Sequence, residues 1–156
     1  MTNLCCDVIR ALQGKTLVTA ESCTGGGIGA ALTSVSGSSA VFKGGIISYT
    51  NEVKNQVLGV DAKLLEEKGA VSAPVAESMA SGARAKLQAD VAVSVTGLAG
   101  PGGDDYGNPV GTVYIGYSDV SKTEARHFLF HGDRESIRNQ AIRAALQWLL
   151  QQMTGE

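Results

Sequence analysis

Glycine residues are concentrated in this sequence shortly after two short segments that favour β-strands. Twenty of the 156 residues are glycine, compared with about 7% in an average protein. One cluster, at 25–27, follows the β-prone run 16–20, and the other, at 97–103, follows the continuous apolar run 91–95. Glycine lets the backbone approach a ligand closely or adopt a positive φ. The two clusters therefore predict two strands that each end in a specialised loop.

Hydrophobic periodicity predicts strands and helices that alternate along most of the chain. Helical spacing is found at 4–12, 28–35, 51–58, 62–68 and 72–88, with Ser72 as the expected N-cap of the last of these. Besides the two runs above, strands are predicted at 41–49, 111–117 and 124–130, the last two forming a hairpin. A final helix is expected to begin at Asp133, its N-cap.

This order of elements predicts one α/β domain over residues 1–156. We expect three layers, with a mixed β-sheet covered by helices on both faces. The length is that of one ordinary domain. Ligands of such sheets bind beyond the carboxyl ends of the strands, so both glycine clusters should lie at the edge of the sheet where a ligand would bind.

Charge and composition exclude several classes of partner. The net charge of −2 gives no basic footprint for nucleic acid. The apolar runs are much shorter than the ~20 residues of a membrane span, and the first residues do not resemble a secretory signal. Three cysteines, two of them adjacent, make a poor disulfide framework. We therefore expect a cytoplasmic protein that binds neither nucleic acid nor membrane.

The segment 21–27 contains the first candidate for chemistry. Ser22 lies where a strand turns into a helix, and N–H groups at the helix start could form an oxyanion hole beside it. Ser22 and Thr24 could equally be helix caps, with the glycines serving only close packing. Cys23 is a further nucleophile candidate, because a thiol at a helix N-terminus can have a lowered pKa, but no histidine is placed to pair with it.

A serine nucleophile needs a base. The two histidines, His127 and His131, are spaced four residues apart on a predicted strand, which is too wide for a tight metal pair, and no third ligand lies nearby. Lys54 is the other option, because a lysine shielded from water has a lowered pKa, and Tyr49 could relay the proton or fix the serine hydroxyl. Both could also be ordinary surface residues.

Two segments could bind an anion. The second glycine cluster, with Thr96 before it, has the composition of a phosphate cradle, but it matches neither the Walker loop nor the dinucleotide fingerprint and could be a long surface turn. Arg134 and Arg138 are four residues apart on the last helix and share one face. Together they would suit a phosphate, or they could form a solvated face with neighbouring carboxylates.

Taken together, the motifs of this chain resemble the CinA C-terminal domain family, whose members include nicotinamide mononucleotide deamidases. The match extends from about residue 4 to residue 150. The matching segments are 19–26 (TAESCTGG), 37–39 (GSS), 48–51 (SYTN), 69–72 (GAVS), 96–97 with 99–103 (TG and AGPGG), 109–113 (PVGTV) and 132–134 (GDR).

The resemblance implies an amidohydrolase that converts nicotinamide mononucleotide to nicotinic acid mononucleotide plus ammonia, without metal or organic cofactor. It places the nucleophile on Ser22, the base on Lys54 and an assisting hydroxyl on Tyr49. It also implies a homodimer or a higher homo-oligomer. Residues expected to contact substrate are Glu21, Cys23, Thr24, Gly25, Gly26, Thr96, Gly97, Gly100 and either Arg134 or Arg138.

Two other kinds of function stay open at this point. One is a nucleotide-binding module without catalysis, and the other is an accessory protein of competence or DNA repair. The stretch 104–108 is shorter and more acidic than the corresponding loop of the family, which argues against phosphate contacts there.

Overall fold

The computed structural model describes residues 1–155 and builds them around a five-stranded sheet. The strands follow one another in space in the order β2-β1-β3-β4-β5. Strand β1 pairs in parallel with β2 and β3, whereas β4 is antiparallel to both β3 and β5. The mixed sheet predicted from the sequence is confirmed. The strands are β1 (Leu17–Glu21), β2 (Phe42–Ile47), β3 (Val91–Gly97), β4 (Thr112–Ser118) and β5 (Thr123–Leu129).

Six α-helices and one short 3₁₀ turn connect the strands. All six lie where the hydrophobic periodicity predicts them, and their ends differ from the prediction by a few residues at most. The helices are α1 (Thr2–Ala11), α2 (Gly27–Thr33), α3 (Asn51–Gln56), α4 (Ala62–Lys68), α5 (Ala73–Leu87) and α6 (Arg134–Thr154), and the 3₁₀ turn is Ser38–Ala40. Within residues 1–155, no helix combines the length and the apolar character that a membrane crossing requires.

The two faces of the sheet bury separate hydrophobic clusters. Successive strand residues point to opposite faces, so Leu17 joins the cluster beneath α1, α2 and α6, whereas Val18 joins the cluster beneath α4 and α5. Strand β3 divides in the same way, with Val93 on the first face and Ala92 on the second. Strand β1 is buried over its whole length. The three-layer arrangement expected from the sequence is therefore confirmed.

The two predicted N-caps behave differently. The Asp133 carboxylate accepts a hydrogen bond from the Ser136 N–H at 2.9 Å and caps α6 as predicted. Ser72 is the N-cap residue of α5 as predicted, but its hydroxyl makes no cap bond. It donates instead to the Gly69 carbonyl at 2.9 Å, because the turn that ends α4 brings that carbonyl within reach.

The pairing of β1 with β3 brings the two glycine-rich segments together. Glu21 lies opposite Val95 in the parallel ladder, and the Ser22 N–H continues the ladder by donating to the Val95 carbonyl at 3.0 Å. Ser22 consequently lies beside Thr96, near the end of β3, at the carboxyl edge of the sheet. This edge is where a ligand is expected in a sheet of this type.

Candidate active site

Ser22 begins a tight turn between β1 and α2. The Gly25 N–H donates to the Ser22 carbonyl at 3.0 Å, and Gly25 and Gly26 have φ values of +59° and +98°. These left-handed conformations favour glycine over any residue with a Cβ. The turn leaves Ser22 only 7% exposed, with its hydroxyl directed at a buried amine and not at the helix terminus.

Glu21 holds this turn from below. Its carboxylate is 2% exposed and accepts hydrogen bonds from the Thr24 hydroxyl at 2.6 Å, the Ile28 N–H at 2.8 Å and the Gly29 N–H at 3.0 Å. The carboxylate thereby caps α2, a role that the sequence offered to Ser22 and Thr24. All of these contacts lie within the protein, and neither Glu21 nor Thr24 lines the cavity described below.

Lys54 is the amine that meets Ser22. Its side chain extends from α3, is 1% exposed, and places Nζ 3.0 Å from Ser22 Oγ, 2.9 Å from the Ser48 carbonyl and 3.4 Å from the Tyr49 carbonyl. Neither histidine lines this site.

Burial lowers the pKa of Lys54 to about 8. Desolvation disfavours the charged form of an amine, and within residues 1–155 no carboxylate forms a salt bridge with Lys54. A neutral amine has two hydrogens and one lone pair. The two carbonyls can take the hydrogens, which leaves the lone pair facing the Ser22 hydroxyl. This geometry suits a general base.

Tyr49 lies beside the pair but does not connect it. Its side chain is 58% exposed, and its hydroxyl accepts a hydrogen bond from Arg134 Nη2 at 3.0 Å. The same guanidinium donates through Nη1 to the Gly100 carbonyl at 2.7 Å. Because Lys54 contacts Ser22 directly, the relay through the Tyr49 hydroxyl expected from the sequence is not the arrangement found.

An open cavity of about 290 Å³ lies above Ser22 and Lys54. Within residues 1–155, the charged residues that line it are Lys54 and Arg134, and no carboxylate lines it. Such a lining favours a ligand with a negative charge. The lining residues are Ser22, Cys23, Tyr49, Asn51, Lys54, Ala70, Val71, Thr96, Gly97, Leu98, Ala99, Gly100, Gly102 and Arg134.

The thiol of Cys23 and the hydroxyl of Thr96 complete the floor of the cavity. Burial raises the pKa of Cys23 to about 11, so its thiol stays protonated at neutral pH and is a poor nucleophile. The Thr96 hydroxyl donates to the Ala70 carbonyl at 2.9 Å, which fixes its rotamer and leaves its lone pairs available. Thr96 can therefore accept a hydrogen bond from a ligand.

Several predicted contact residues lie outside the cavity. Gly25 and Gly26 shape the turn without lining the space above it. Arg138 donates from Nε to the Cys23 carbonyl at 3.0 Å and from Nη2 to the Thr24 carbonyl at 3.1 Å. These two bonds direct its guanidinium at the protein backbone, and of the two candidate arginines Arg134 is the one that lines the cavity.

The cavity also has walls that the sequence analysis did not identify. Asn51 lies three residues before Lys54 and so shares its helix face, a signal that was present in the sequence. Ala70 and Val71 reach the cavity only through the fold, and nothing in the local sequence marks them. Within residues 1–155, no group of three or more His, Cys, Asp or Glu side chains could hold a metal ion.

Asp104 has a purely local role in the second glycine-rich loop. Its carboxylate accepts hydrogen bonds from the N–H groups of Tyr106 and Asn108, each at 3.0 Å, and from Asn108 Nδ2 at 2.8 Å. Desolvation alone would raise the pKa of Asp104, but these hydrogen bonds outweigh it and lower the pKa. The carboxylate therefore stabilises the loop and does not line the cavity.

A family model described as the CinA C-terminal domain matches residues 2–153. The chain is 51% identical over 140 residues to a CinA-like protein of Geotalea daltonii, and the matched region covers 90% of this chain and 34% of that protein. It is 55% identical over 129 residues to a CinA-like protein of Parasynechococcus marenigrum, covering 81% of this chain and 30% of the relative. The chain thus spans about one third of the length of these curated relatives.

Solved structures match the fold over almost the full length. The competence damage-inducible protein A of Klebsiella pneumoniae superimposes with a TM-score of 0.95 at 38% identity, covering 98% of this chain and 96% of that chain. The competence/damage inducible protein of Agrobacterium tumefaciens gives a TM-score of 0.92 at 39% identity, covering 96% of this chain and 93% of that chain.

Proposed function

The chain belongs to the CinA C-terminal domain family, and from this premise we propose that it is an amidohydrolase that converts nicotinamide mononucleotide to nicotinic acid mononucleotide and ammonia. Ser22 is the nucleophile and Lys54 is its base. The observation that carries the proposal is the 3.0 Å contact between Lys54 Nζ and Ser22 Oγ. A buried amine with a lowered pKa and no carboxylate partner is suited to activating a hydroxyl.

The reaction proceeds in two stages. Lys54 takes the proton of the Ser22 hydroxyl as Oγ attacks the carboxamide carbon, whose electrophilicity the pyridinium ring increases. Lys54 then gives that proton to the departing nitrogen, the C–N bond breaks, and ammonia leaves an acyl-enzyme. Water attacks the acyl carbon, Lys54 accepts its proton, and the nicotinic acid product departs as Ser22 regains its hydrogen.

The turn offers an N–H group for the oxyanion. Within residues 1–155, the Cys23 N–H donates to no other residue's backbone, whereas the N–H groups of Gly25 and Gly27 are already used at 3.0 Å. Cys23 is the residue directly after the nucleophile and lines the cavity, as in other hydrolases that present a serine on a strand-to-helix turn. Thr24 is fully buried and does not line the cavity. The Cys23 N–H is therefore our candidate for the oxyanion hole.

The charges of the cavity fit a substrate with a phosphate. Arg134 spans the cavity rim between Tyr49 and Gly100, and its guanidinium can exchange these neutral acceptors for a phosphate, which forms stronger hydrogen bonds. The phosphate is remote from the carboxamide, so its binding contributes orientation more than chemistry.

The test is an ammonia-release assay with nicotinamide mononucleotide on purified protein. We expect turnover by the wild type and a loss on the order of 10⁴–10⁶ in kcat for Ser22→Ala. Ser36→Ala is the matched control, since Ser36 is exposed and remote from the cavity, and it should keep full activity. Retention of more than a tenth of the wild-type activity by Ser22→Ala would refute Ser22 as the nucleophile.

Calorimetry with the same mononucleotide separates the other possibilities. Binding by the wild type without ammonia release would identify a nucleotide-binding module. Absence of both would show that the family's substrate is not the substrate of this chain, and the serine and lysine would then act on another amide.

A further inference from the structure

Arg138 directs its positive charge at the backbone of the nucleophile turn. Its guanidinium binds the carbonyls of two successive residues, Cys23 at 3.0 Å and Thr24 at 3.1 Å. It is partly buried, and within residues 1–155 it forms no salt bridge with a carboxylate. The backbone carbonyls of the turn are therefore its hydrogen-bond partners.

One of these carbonyls belongs to the peptide group that closes the turn. The Thr24 carbonyl and the Gly25 N–H are the two ends of that peptide group, and in a trans peptide they point in opposite directions. The Gly25 N–H donates to the Ser22 carbonyl at 3.0 Å. A hydrogen bond accepted by a carbonyl polarises its peptide group, so the N–H at the other end becomes a stronger donor. The contact with Arg138 therefore strengthens the bond that holds Ser22 in the turn.

Glu21 holds the other end of the same turn. Its carboxylate accepts hydrogen bonds from the Ile28 and Gly29 N–H groups, just beyond the carbonyls that Arg138 binds. One negative and one positive side chain thus fix the turn from its two ends through backbone contacts. Charged groups make stronger hydrogen bonds than neutral ones, so the turn is held firmly while the Cys23 N–H, beside the cavity, is left for a ligand.

We infer that Arg138 is a positioning residue that holds the nucleophile turn and, through the Gly25 N–H, fixes the position of Ser22. The inference rests on the proposed function, because it needs Ser22 to be the nucleophile, but it does not depend on which amide is the substrate. The fork of a guanidinium can reach both carbonyls at once, which the single ammonium of lysine does not match. Lysine at this position should therefore restore only part of the effect.

The experiment measures how fast Ser22 reacts with a fluorophosphonate, a probe that needs no knowledge of the substrate. Ser22 Oγ forms a bond to phosphorus, fluoride leaves, and Lys54 takes the serine proton. Labelling is followed by mass spectrometry as a function of pH for the wild type, Arg138→Lys and Arg138→Met. Arg143→Met is the matched control, since Arg143 is an exposed arginine on the same helix that does not line the cavity.

We expect Arg138→Met to lower the limiting labelling rate at least tenfold, because displacing a nucleophile by about 1 Å can lower rates about 10²-fold. Arg138→Lys should lie between Arg138→Met and the wild type, and Arg143→Met should match the wild type. The inflection of the pH profile should stay near the Lys54 pKa of about 8. A general opening of the site would move the inflection upward, because water would then reach Lys54 and remove the cause of its lowered pKa.

The outcomes separate the inference about Arg138 from the proposed role of Ser22 as the nucleophile. Wild-type labelling that is lost in Ser22→Ala, combined with an unchanged rate in Arg138→Met, overturns the inference and leaves the proposed function intact. An inflection that rises in Arg138→Met overturns it as well. Failure of the wild type to label refutes the activated serine itself. Thermal unfolding shows which variants are folded, and Arg138→Lys, which keeps the charge, decides the question if Arg138→Met is unfolded.

Discussion

The two glycine-rich segments leave the same edge of the sheet but are held by different neighbours. In the first, at 22–27, Gly25 and Gly26 adopt left-handed conformations. In the second, at 97–103, Gly100 also has a positive φ, and a Cβ at Gly97 or Gly103 would approach a backbone carbonyl to 2.9 or 2.8 Å. Both segments therefore need glycine, but the first surrounds a reactive group, whereas the second forms a wall of the cavity that ends in exposed residues at 101–103.

The difference lies in the neighbours of each segment and not in its composition. The nucleophile turn is bounded by a buried carboxylate, Glu21, and by the guanidinium of Arg138. The outer part of the second loop is stabilised by Asp104, which bonds only to residues of its own loop. We therefore expect changes at the first segment to affect chemistry and stability strongly, and changes at the second to affect mainly substrate binding.

The largest expected effect is that of Lys54→Met, which removes the base while filling the same buried space. We expect kcat to fall by a factor on the order of 10⁴–10⁶. The free energy of unfolding should rise at pH 7, by roughly 1–3 kcal/mol, because a buried amine that must be charged is replaced by an apolar side chain. Steady-state ammonia release and urea unfolding measure the two effects.

The pH dependence of stability provides the control for Lys54→Met. The folded-state pKa of Lys54, about 8, lies below the ordinary lysine value of 10.5. Between these values the unfolded chain binds more protons, so the wild type should gain stability as the pH rises through this window. Lys54→Met should lack that gain. An identical rise in both proteins would contradict burial as the cause of the lowered pKa.

The next largest effect concerns stability. It compares the carboxylates that flank the two segments, Glu21 directly before the first and Asp104 directly after the second. Glu21 accepts three hydrogen bonds of 3.0 Å or shorter in a buried setting, and Asp104 accepts three in a loop near solvent. Glu21→Ala leaves buried donors unpaired, so it should lower the free energy of unfolding by about 3 kcal/mol or more. Water can replace the Asp104 carboxylate, so Asp104→Ala should lower it by less than about 1 kcal/mol.

Urea unfolding of both variants at pH 7 measures this contrast. Equal losses would show that the two segments are stabilised alike and would break the comparison between them. Glu21→Gln gives a further test, because it keeps the size of the side chain but weakens its acceptors, and its loss should lie between those of the wild type and Glu21→Ala.

The order of the elements and the placement of the site at the sheet edge could be predicted from local sequence, because strands and helices follow hydrophobic spacing. The approach of Ser22 to Lys54 was accessible only through the resemblance to a family. The two residues are 32 positions apart, and only the pairing of β1 with β2 brings the start of α3 to the end of β1.

The orientation of the polar side chains around Ser22 could not be predicted from the sequence. Glu21, Thr24 and Arg138 were expected to contact substrate; in the structure each bonds to the backbone or to a side chain of the nucleophile turn and lies outside the cavity. A polar residue beside a reactive group can face the ligand or support the turn, and the sequence does not record which way a side chain points. The same limit applies to the Tyr49 hydroxyl, which contacts Arg134.

A smaller effect is expected from pH alone. Lys54 acts as a base only when it is neutral, so kcat/KM should fall about tenfold for each pH unit below the pKa and level off above it. With that pKa at about 8, the inflection should lie near pH 8. The measurement is ammonia release from pH 6 to pH 10, with Tyr106→Ala run alongside. If Tyr106→Ala has the same inflection as the wild type, the loop around Tyr106 does not affect the pKa of Lys54.

The smallest expected effect is that of Tyr106→Ala, three residues after the end of the second segment. The Tyr106 ring lies against Gly69, where a Cβ would approach it to 2.7 Å, and its hydroxyl donates to the Glu66 carbonyl at 2.7 Å. These contacts hold the loop against the segment that carries Ala70 and Val71 into the cavity. Loss of the ring should loosen this wall, so KM should rise a few-fold, equivalent to about 1 kcal/mol, while kcat is maintained.

Tyr106→Phe separates the ring from the hydroxyl. It removes one hydrogen bond from a side chain that is 48% exposed, where water can take its place, so KM should stay within about twofold of the wild type. A fall in kcat without a change in KM in Tyr106→Ala would mean that the exposed loop controls the position of Ser22. The two segments would then act as one unit, coupled through the β1–β3 ladder and through Arg134, which joins the Gly100 carbonyl to Tyr49.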